Sequence, residues 1–176
     1  MPRLVDQMRE ALAMFSVCGT APALIGGLAL AAHNVVRATQ DIDFLADSDD
    51  AQALHEAIQA LGYRCVHRSD DAANYLRGDE GLDLLYAHRP AARQLLDTAQ
   101  VVETPMGQLR VVSAEGLIGF KLQGYVNDAS RGRDLDDIRA LLRANAGGLN
   151  MQAVKDYFVL FEREALLDEI LREIGS

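Results

Sequence analysis

Lysine is scarce in this sequence. Of seventeen lysine and arginine residues only Lys121 and Lys155 are lysine, which leaves fifteen arginines. Tryptophan is absent, and there are two cysteines. Cys18 and Cys65 lie far apart, with no C-x-x-C pair and no histidine at metal spacing. That excludes a disulfide scaffold and fits a reduced, cytoplasmic chain with two structural thiols. Residues 11–36 hold no Asp, Glu, Lys or Arg, and a hydropathy window would read a membrane span there. Gly19, Pro22, Gly26, Gly27 and Asn34 break the stretch into pieces well short of the roughly 20 apolar residues a span needs. Asp6, Arg9 and Glu10 interrupt any signal-peptide layout at the start. The expectation is no membrane partner and a deeply buried centre. Positive charge is also short: the net charge is −9 and the sequence pI about 4.8. Broad binding of duplex nucleic acid wants a basic stripe, so that class is disfavoured. No repeat, low-complexity tract or Ser-His-Asp arrangement stands out.

What is present is ample apolar material, 49% of 176 residues, enough for one domain or a domain with a small appendage. The informative stretch runs from Ile25 to Phe44. Asp41 and Asp43 alternate with Ile42 and Phe44. In a strand, both acids face one way and the apolar residues face the core. Like charges on one face repel unless a cation lies between them, and hard oxygen ligands with waters and phosphates describe a Mg²⁺ site. The plain alternative is a solvated strand face. Upstream, Leu24-Ile25 reads as a strand end and Leu28–Ala32 as a helix. Gly26-Gly27 then sits on a strand-to-helix turn, where backbone and free N–H groups can approach a phosphate. Taken alone, the pair is equally a tight turn.

Periodicity supplies the remaining elements. Leu4, Met8, Leu12 and Phe15 share a face of a helix over 3–16. Strands are expected at Ala23–Ile25 and Ile42–Leu45, with His33 at the end of the helix between them, either capping or packing there or serving as a ligand or general base. Asp47-Ser48-Asp49-Asp50 reads as loop and N-cap to a helix Ala51–Leu61, ended by Gly62. Tyr63–His67, Ala73–Leu76 and Leu82–Tyr86 read as strands. A short helix at 91–97 and a hairpin around Thr104-Pro105-Met106-Gly107 follow. Ser113 opens a helix over 114–125, and further helices cover 131–143, Met151–Phe161 and Arg163–Ile174.

Three features of the second half are unusual. Asp83 is an acid inside the apolar run Leu82–Tyr86, a costly place for an unpaired carboxylate. Its structural explanation would be a salt bridge to Arg77 or Arg89. Lys121 sits in an apolar helix of a chain that otherwise prefers arginine. It is either a compact counter-charge for phosphate or a snorkelling side chain. Asp134 and Asp137 share one helical face, either receiving Lys121 or Arg131 or complementing the helix dipole.

Gly-Gly, thirteen residues, then Asp-x-Asp and an apolar residue resembles the nucleotidyltransferases of the DNA polymerase β superfold. Arg37-x-Thr39-x-Asp41-Ile42-Asp43 is similar to the branch of the AbiEii-type toxins and their uncharacterised bacterial relatives, and Arg133-Asp134-x-x-Asp137-Ile138 resembles it too. The likeness implies an α/β (α+β) fold, a small mixed twisted sheet flanked by helices with a helical C-terminal part. It implies a nucleotidyltransferase core over 1–112 and a helical subdomain over 113–176 packed on it. It also makes Asp83 the third metal ligand beside Asp41 and Asp43, and places Lys121 near the nucleotide phosphates.

The resulting expectation is an enzyme that transfers a nucleoside monophosphate from an NTP to an acceptor hydroxyl with Mg²⁺ or Mn²⁺. Asp41, Asp43 and Asp83 are the catalytic, metal-holding acids. Gly26, Gly27, Arg37, Thr39, Lys121, Asp134 and Asp137 are the nucleotide-binding set. Removing Lys121 is expected to weaken NTP binding with the fold intact. The acceptor is a tRNA, a protein or a small molecule, and a toxin-type role would bring a cognate antitoxin. The alternative is a non-catalytic nucleotide- or partner-binding protein that keeps the fold.

Overall fold

In the computed structural model, which describes residues 2–175, seven strands form one mixed sheet. They are β1 (Ala23–Ile25), β2 (Asp41–Asp47), β3 (Arg64–Arg68), β4 (Ala72–Arg77), β5 (Glu80–Ala87), β6 (Gln100–Thr104) and β7 (Gly107–Val111), in the spatial order β3-β4-β5-β2-β1-β7-β6. β2 runs parallel to β5, and β1 parallel to β7; the other pairs are antiparallel. Eight helices accompany them among the described residues: α1 (Pro2–Met14), α2 (Gly26–Ala32), α3 (Ala51–Ala60), α4 (Pro90–Asp97), α5 (Ala114–Asn127), α6 (Gly132–Ala144), α7 (Met151–Leu160) and α8 (Glu164–Gly175). The class is α/β with a mixed sheet, as the sequence implies. No helix among the described residues is long and apolar enough to cross a membrane.

The chain divides into two compact units. One comprises the chain up to Ala29 and Ala38–Val112; the other comprises Leu30–Arg37 and the chain from Ser113 onward. In the first, the alternation of β2 and β5 decides which face is core. Ile42, Phe44, Leu82 and Leu84 are fully buried, as is Tyr75 of β4. Phe15 meets Phe44 edge-on, with ring centroids 4.8 Å apart, the geometry aromatic quadrupoles favour. In the second unit, α5 is apolar nearly all round and buries Leu117, Ile118 and Leu122, as a central helix must. Gly119 lets the ring of Tyr157 on α7 lie where a β-carbon would stand, 2.8 Å from Cδ1.

Local signals account for most boundaries. Ser113 Oγ accepts from the Gly116 amide at 3.1 Å, a true N-cap. Gly62 takes φ +89° just past α3, where glycine has no steric cost. Asp50 differs from expectation. It makes no side-chain cap on α3; its carboxylate accepts from the amides of Gly19 and Thr20 at 3.0 and 3.2 Å and ties down that loop. Capping falls to Asp47, which accepts from the Asp49 amide at 2.9 Å at the head of a short 3-10 turn.

Candidate active site

The register of β2 and β5 builds the site. Asp43 pairs with Asp83 and Asp41 with Gly81 across parallel strands. Register partners in a sheet share a face, and residues two apart on one strand do too. All three acids therefore stand on the face opposite Phe44 and Leu84. Asp43 and Asp83 are half-buried and Asp41 is exposed. Burial raises the proton affinity of the Asp83 carboxyl; a hydrogen bond with Asn74 lowers it, and the charge of Asp41 raises it again. Asn74 is the register partner of Asp83 on β4. The salt bridge to Arg77 is not formed. Arg77 binds Glu10 and Glu80, each at 2.7 Å, and donates to the Leu61 carbonyl.

The glycine turn closes against these acids. Gly26 has φ +66°, and a β-carbon there would fall onto the Asp43 carboxylate, 2.5 Å from Cγ. A β-carbon on Gly27 would stand 2.9 Å from Thr39 Cβ. The pair is thus small because Asp43 and Thr39 occupy the space, and the left-handed φ of Gly26 adds a second requirement. Thr39 Oγ1 also donates to the Asp41 carbonyl at 3.3 Å.

Three supporting residues were not anticipated. Gly81 is buried, and a β-carbon there would be 2.8 Å from Asp41 Cγ. Gln7 of α1, 1% exposed, donates to the Gly81 carbonyl at 2.8 Å. A polar residue on the buried face of a helix was the available signal. Asn74 had none, since its role follows from register alone. A cavity of about 240 Å³ lies near the start of β2, with Gln7, Thr39 and Gln40 in its wall and none of the three acids.

Among the described residues, no three His, Cys, Asp or Glu side chains are gathered closely enough to form a metal cage by themselves. The donor set nonetheless suits a hard divalent ion. Mg²⁺ is usually held by one or two carboxylates, with waters and substrate phosphates completing the shell, and Asp43 and Asp83 stand side by side on one open face.

The other predicted residues form a charge network within the second unit. Lys121 Nζ lies 3.1 Å from Asp134 Oδ1 and 2.9 Å from Asp137 Oδ2. Arg37 pairs with Asp137 at 2.5 Å. Arg131 Nε approaches Asp134 Oδ2 to 2.8 Å without the alignment of a hydrogen bond. Asp134 and Asp137 are 3% and 6% exposed. Of the two readings of these acids, the ion-pair reading is the geometry observed. Gly124 makes room: its β-carbon would stand 2.7 Å from Asp134 Oδ2. The snorkelling account of Lys121 fails, because its ammonium is held between two buried carboxylates. The expectation that Lys121 can be removed with the fold intact changes with it, since both acids would lose their shared cation.

No family model matches the sequence, and no curated protein does. Solved structures do match. The solution structure of the antibiotic-resistance factor ANT(2'')-Ia superposes with TM-score 0.68 at 19% identity over 98% of each chain. Its crystal structure with adenylyl-2''-tobramycin gives 0.67 at 18% identity, over 93% of this chain and 99% of that one. A Thermotoga maritima protein provisionally described as a nucleotidyltransferase gives 0.57 at 15% identity, over 77% and 94%. The chain has the nucleotidyltransferase fold. At these identities the likeness establishes the architecture and leaves the chemistry to be argued from the residues.

Proposed function

We propose that the chain is a metal-dependent nucleotidyltransferase that moves a nucleoside monophosphate from an NTP to a hydroxyl of an acceptor. One observation carries this reading. Asp43 and Asp83 are register partners on parallel strands, Asp41 lies on the same face, and the Gly26-Gly27 turn abuts Asp43.

In this reading Asp41, Asp43 and Asp83 hold Mg²⁺ or Mn²⁺. Such an ion supplies charge neutralisation at the phosphate oxygens and aligns attacking and leaving oxygens. Gly26 and Gly27 let the triphosphate approach the backbone beside Asp43. Asn74 fixes the orientation of Asp83, and Gly81 with Gln7 keeps space for Asp41. Arg37, Thr39 and Lys121 contact the nucleotide, with Asp134 and Asp137 aiming the two cations. Residues 1–112 act as the catalytic core and 113–176 as a helical subdomain.

The Arg37-x-Thr39-x-Asp41-Ile42-Asp43 pattern supports an AbiEii-like branch acting in the cytoplasm of a bacterium. A tRNA or protein acceptor and an antitoxin partner would go with a toxin role. The adenylyl-2''-tobramycin bound by the resistance factor supports a small hydroxylated acceptor instead. A second reading, a fold-retaining binding protein without catalysis, draws on the lack of a three-ligand cage among the described residues. Incubation with α-labelled NTPs, Mg²⁺ and cell extract tests the choice. Label transferred by the wild type and lost in Asp43→Asn supports the enzyme; NTP binding without transfer supports the binding protein.

A further inference from the structure

The acid pair continues as a row across the sheet. Asp83 pairs with Asn74, and Asn74 with His67 of β3, so Asp43, Asp83, Asn74 and His67 lie side by side on one face of four adjacent strands. The row beside it runs Asp41, Gly81, Leu76 and Arg64. On the other side come Leu85 and its partner Ala72. On β3, β4 and β5 this face is open in part: Leu76 is 40% and Leu85 38% exposed, and Arg64 and His67 are exposed as well, whereas Leu45 of β2, the register partner of Leu85, is buried.

Two properties of the face matter. Its part on β3 and β4 presents no carboxylate: the residues there are Arg64, His67, Ala72, Asn74 and Leu76, while Asp47, at the far end of β2 on the same face, is paired with Arg93. Its outer border is also unsuited to another strand. β3 has a register shift between Cys65 and His67, with Val66 as the extra residue, 51% exposed. Bulges of this kind discourage edge pairing.

We infer that the face of β3, β4 and β5 beside the acids is the platform for the acceptor, and that the acceptor is a small molecule with an apolar ring body, a hydroxyl at one end and an anionic group at the other. This rests on the nucleotidyltransferase reading. The hydroxyl must reach Asp83 and Asp43, where the phosphoryl group would be attacked. An apolar body then lies over Leu76, on the Arg64 side of Asp83. Two strand spacings, about 10 Å, separate Asp83 from β3, where Arg64 supplies the charge that an acceptor's anion complements. A polycationic acceptor would gain no partner along this path and would meet Arg64 at its end. Attack by the hydroxyl oxygen on the NTP α-phosphorus forms the new P–O bond and breaks the bond to the β-phosphate. Pyrophosphate leaves, and the hydroxyl proton passes to water.

The test is a titration of the full chain carrying ¹³C-labelled leucine methyls. The probes are 4-(hydroxymethyl)benzoate and 4-(hydroxymethyl)benzylamine, which share a ring and a hydroxyl and differ in charge. The benzoate is expected to shift the Leu76 methyls more than those of Leu85 and to bind at least about tenfold tighter than the amine, a measurable gap in affinity. Arg64→Gln should erase that preference while the methyl spectrum stays folded. Equal or tighter binding of the amine, or no response at the Leu76 methyls, overturns the inference. The same sample is titrated with Mn²⁺ and ATP. If these bind near Gly26 and Asp43 while neither aryl probe registers, the platform falls and the nucleotidyltransferase reading stands. If neither metal nor ATP binds, both fall.

Discussion

Gly26 and Asp43 compete for one volume. A β-carbon on Gly26 would land on the Asp43 carboxylate, and the φ of +66° already places Gly26 where L side chains are strained. The glycine is thus a fitted neighbour of the acid as well as a turn residue. Gly26→Ala is expected to cost about 1–3 kcal/mol through the backbone alone and to push Asp43 out of line. Thermal unfolding should report the loss of stability, and NTP transfer should fall much further than stability does. A variant with wild-type melting and transfer would show that the space is not shared.

Asp83 ties stability to pH. Burial raises its carboxyl above the ordinary carboxylate value. Where both folded and unfolded states hold the proton, Asp83 exacts no penalty. As pH rises through the ordinary value, the unfolded chain ionises first and folding becomes less favourable. Above the raised value the penalty stays constant. Asp83→Asn should therefore gain stability relative to wild type as pH rises through the carboxylate range, measured without divalent ions by denaturant titration. A gap that stays flat with pH would contradict the burial assigned to this carboxyl.

Asn74 is the nearest structural support of Asp83. Asn74→Ala removes an orienting hydrogen bond and leaves the acid itself. Partners of this kind typically contribute 10–100-fold to metal affinity or activity, so a loss of about that size in Mn²⁺ affinity is expected. Isothermal titration measures it directly.

Much of this was legible from residues. The glycine pair and Asp-x-Asp stood out by type and spacing, and most helices by capping and periodicity. Asp83 was conspicuous as a carboxylate in an apolar strand. Asn74, Gly81 and Gln7 were silent for a physical reason. Their roles depend on which strand lies beside which, and a polar residue on β4 looks like any half-exposed strand residue until β5 is laid next to it. Lys121 was legible as unusual, but its pairing with two buried acids was not, and that pairing is what makes a loss of stability the expected result of removing it. Its partners Asp134 and Asp137 lie on α6, thirteen and sixteen residues on, and only tertiary packing shows that they are buried.

The Lys121 network gives a stability prediction. Asp137→Ala would leave Arg37 and Lys121 with a shared partner removed. Breaking a buried pair on one side typically costs about 3–5 kcal/mol, and a loss near the lower end is expected because Arg37 is a third exposed. Lys121→Met should destabilise as well, in contrast with a lysine that merely waits for phosphate. Urea unfolding of both variants checks this; a change under about 0.5 kcal/mol would place them among ordinary surface substitutions.

The most direct test of the whole account is paramagnetic. Mn²⁺ added at substoichiometric levels broadens amide signals near its site. The predicted result is early loss of the Gly26, Gly27, Asp41, Asp43 and Asp83 amides, enhanced by ATP and abolished in Asp43→Asn. Broadening confined to other acidic segments such as Asp47–Asp50, unchanged by ATP and by the substitution, would contradict it.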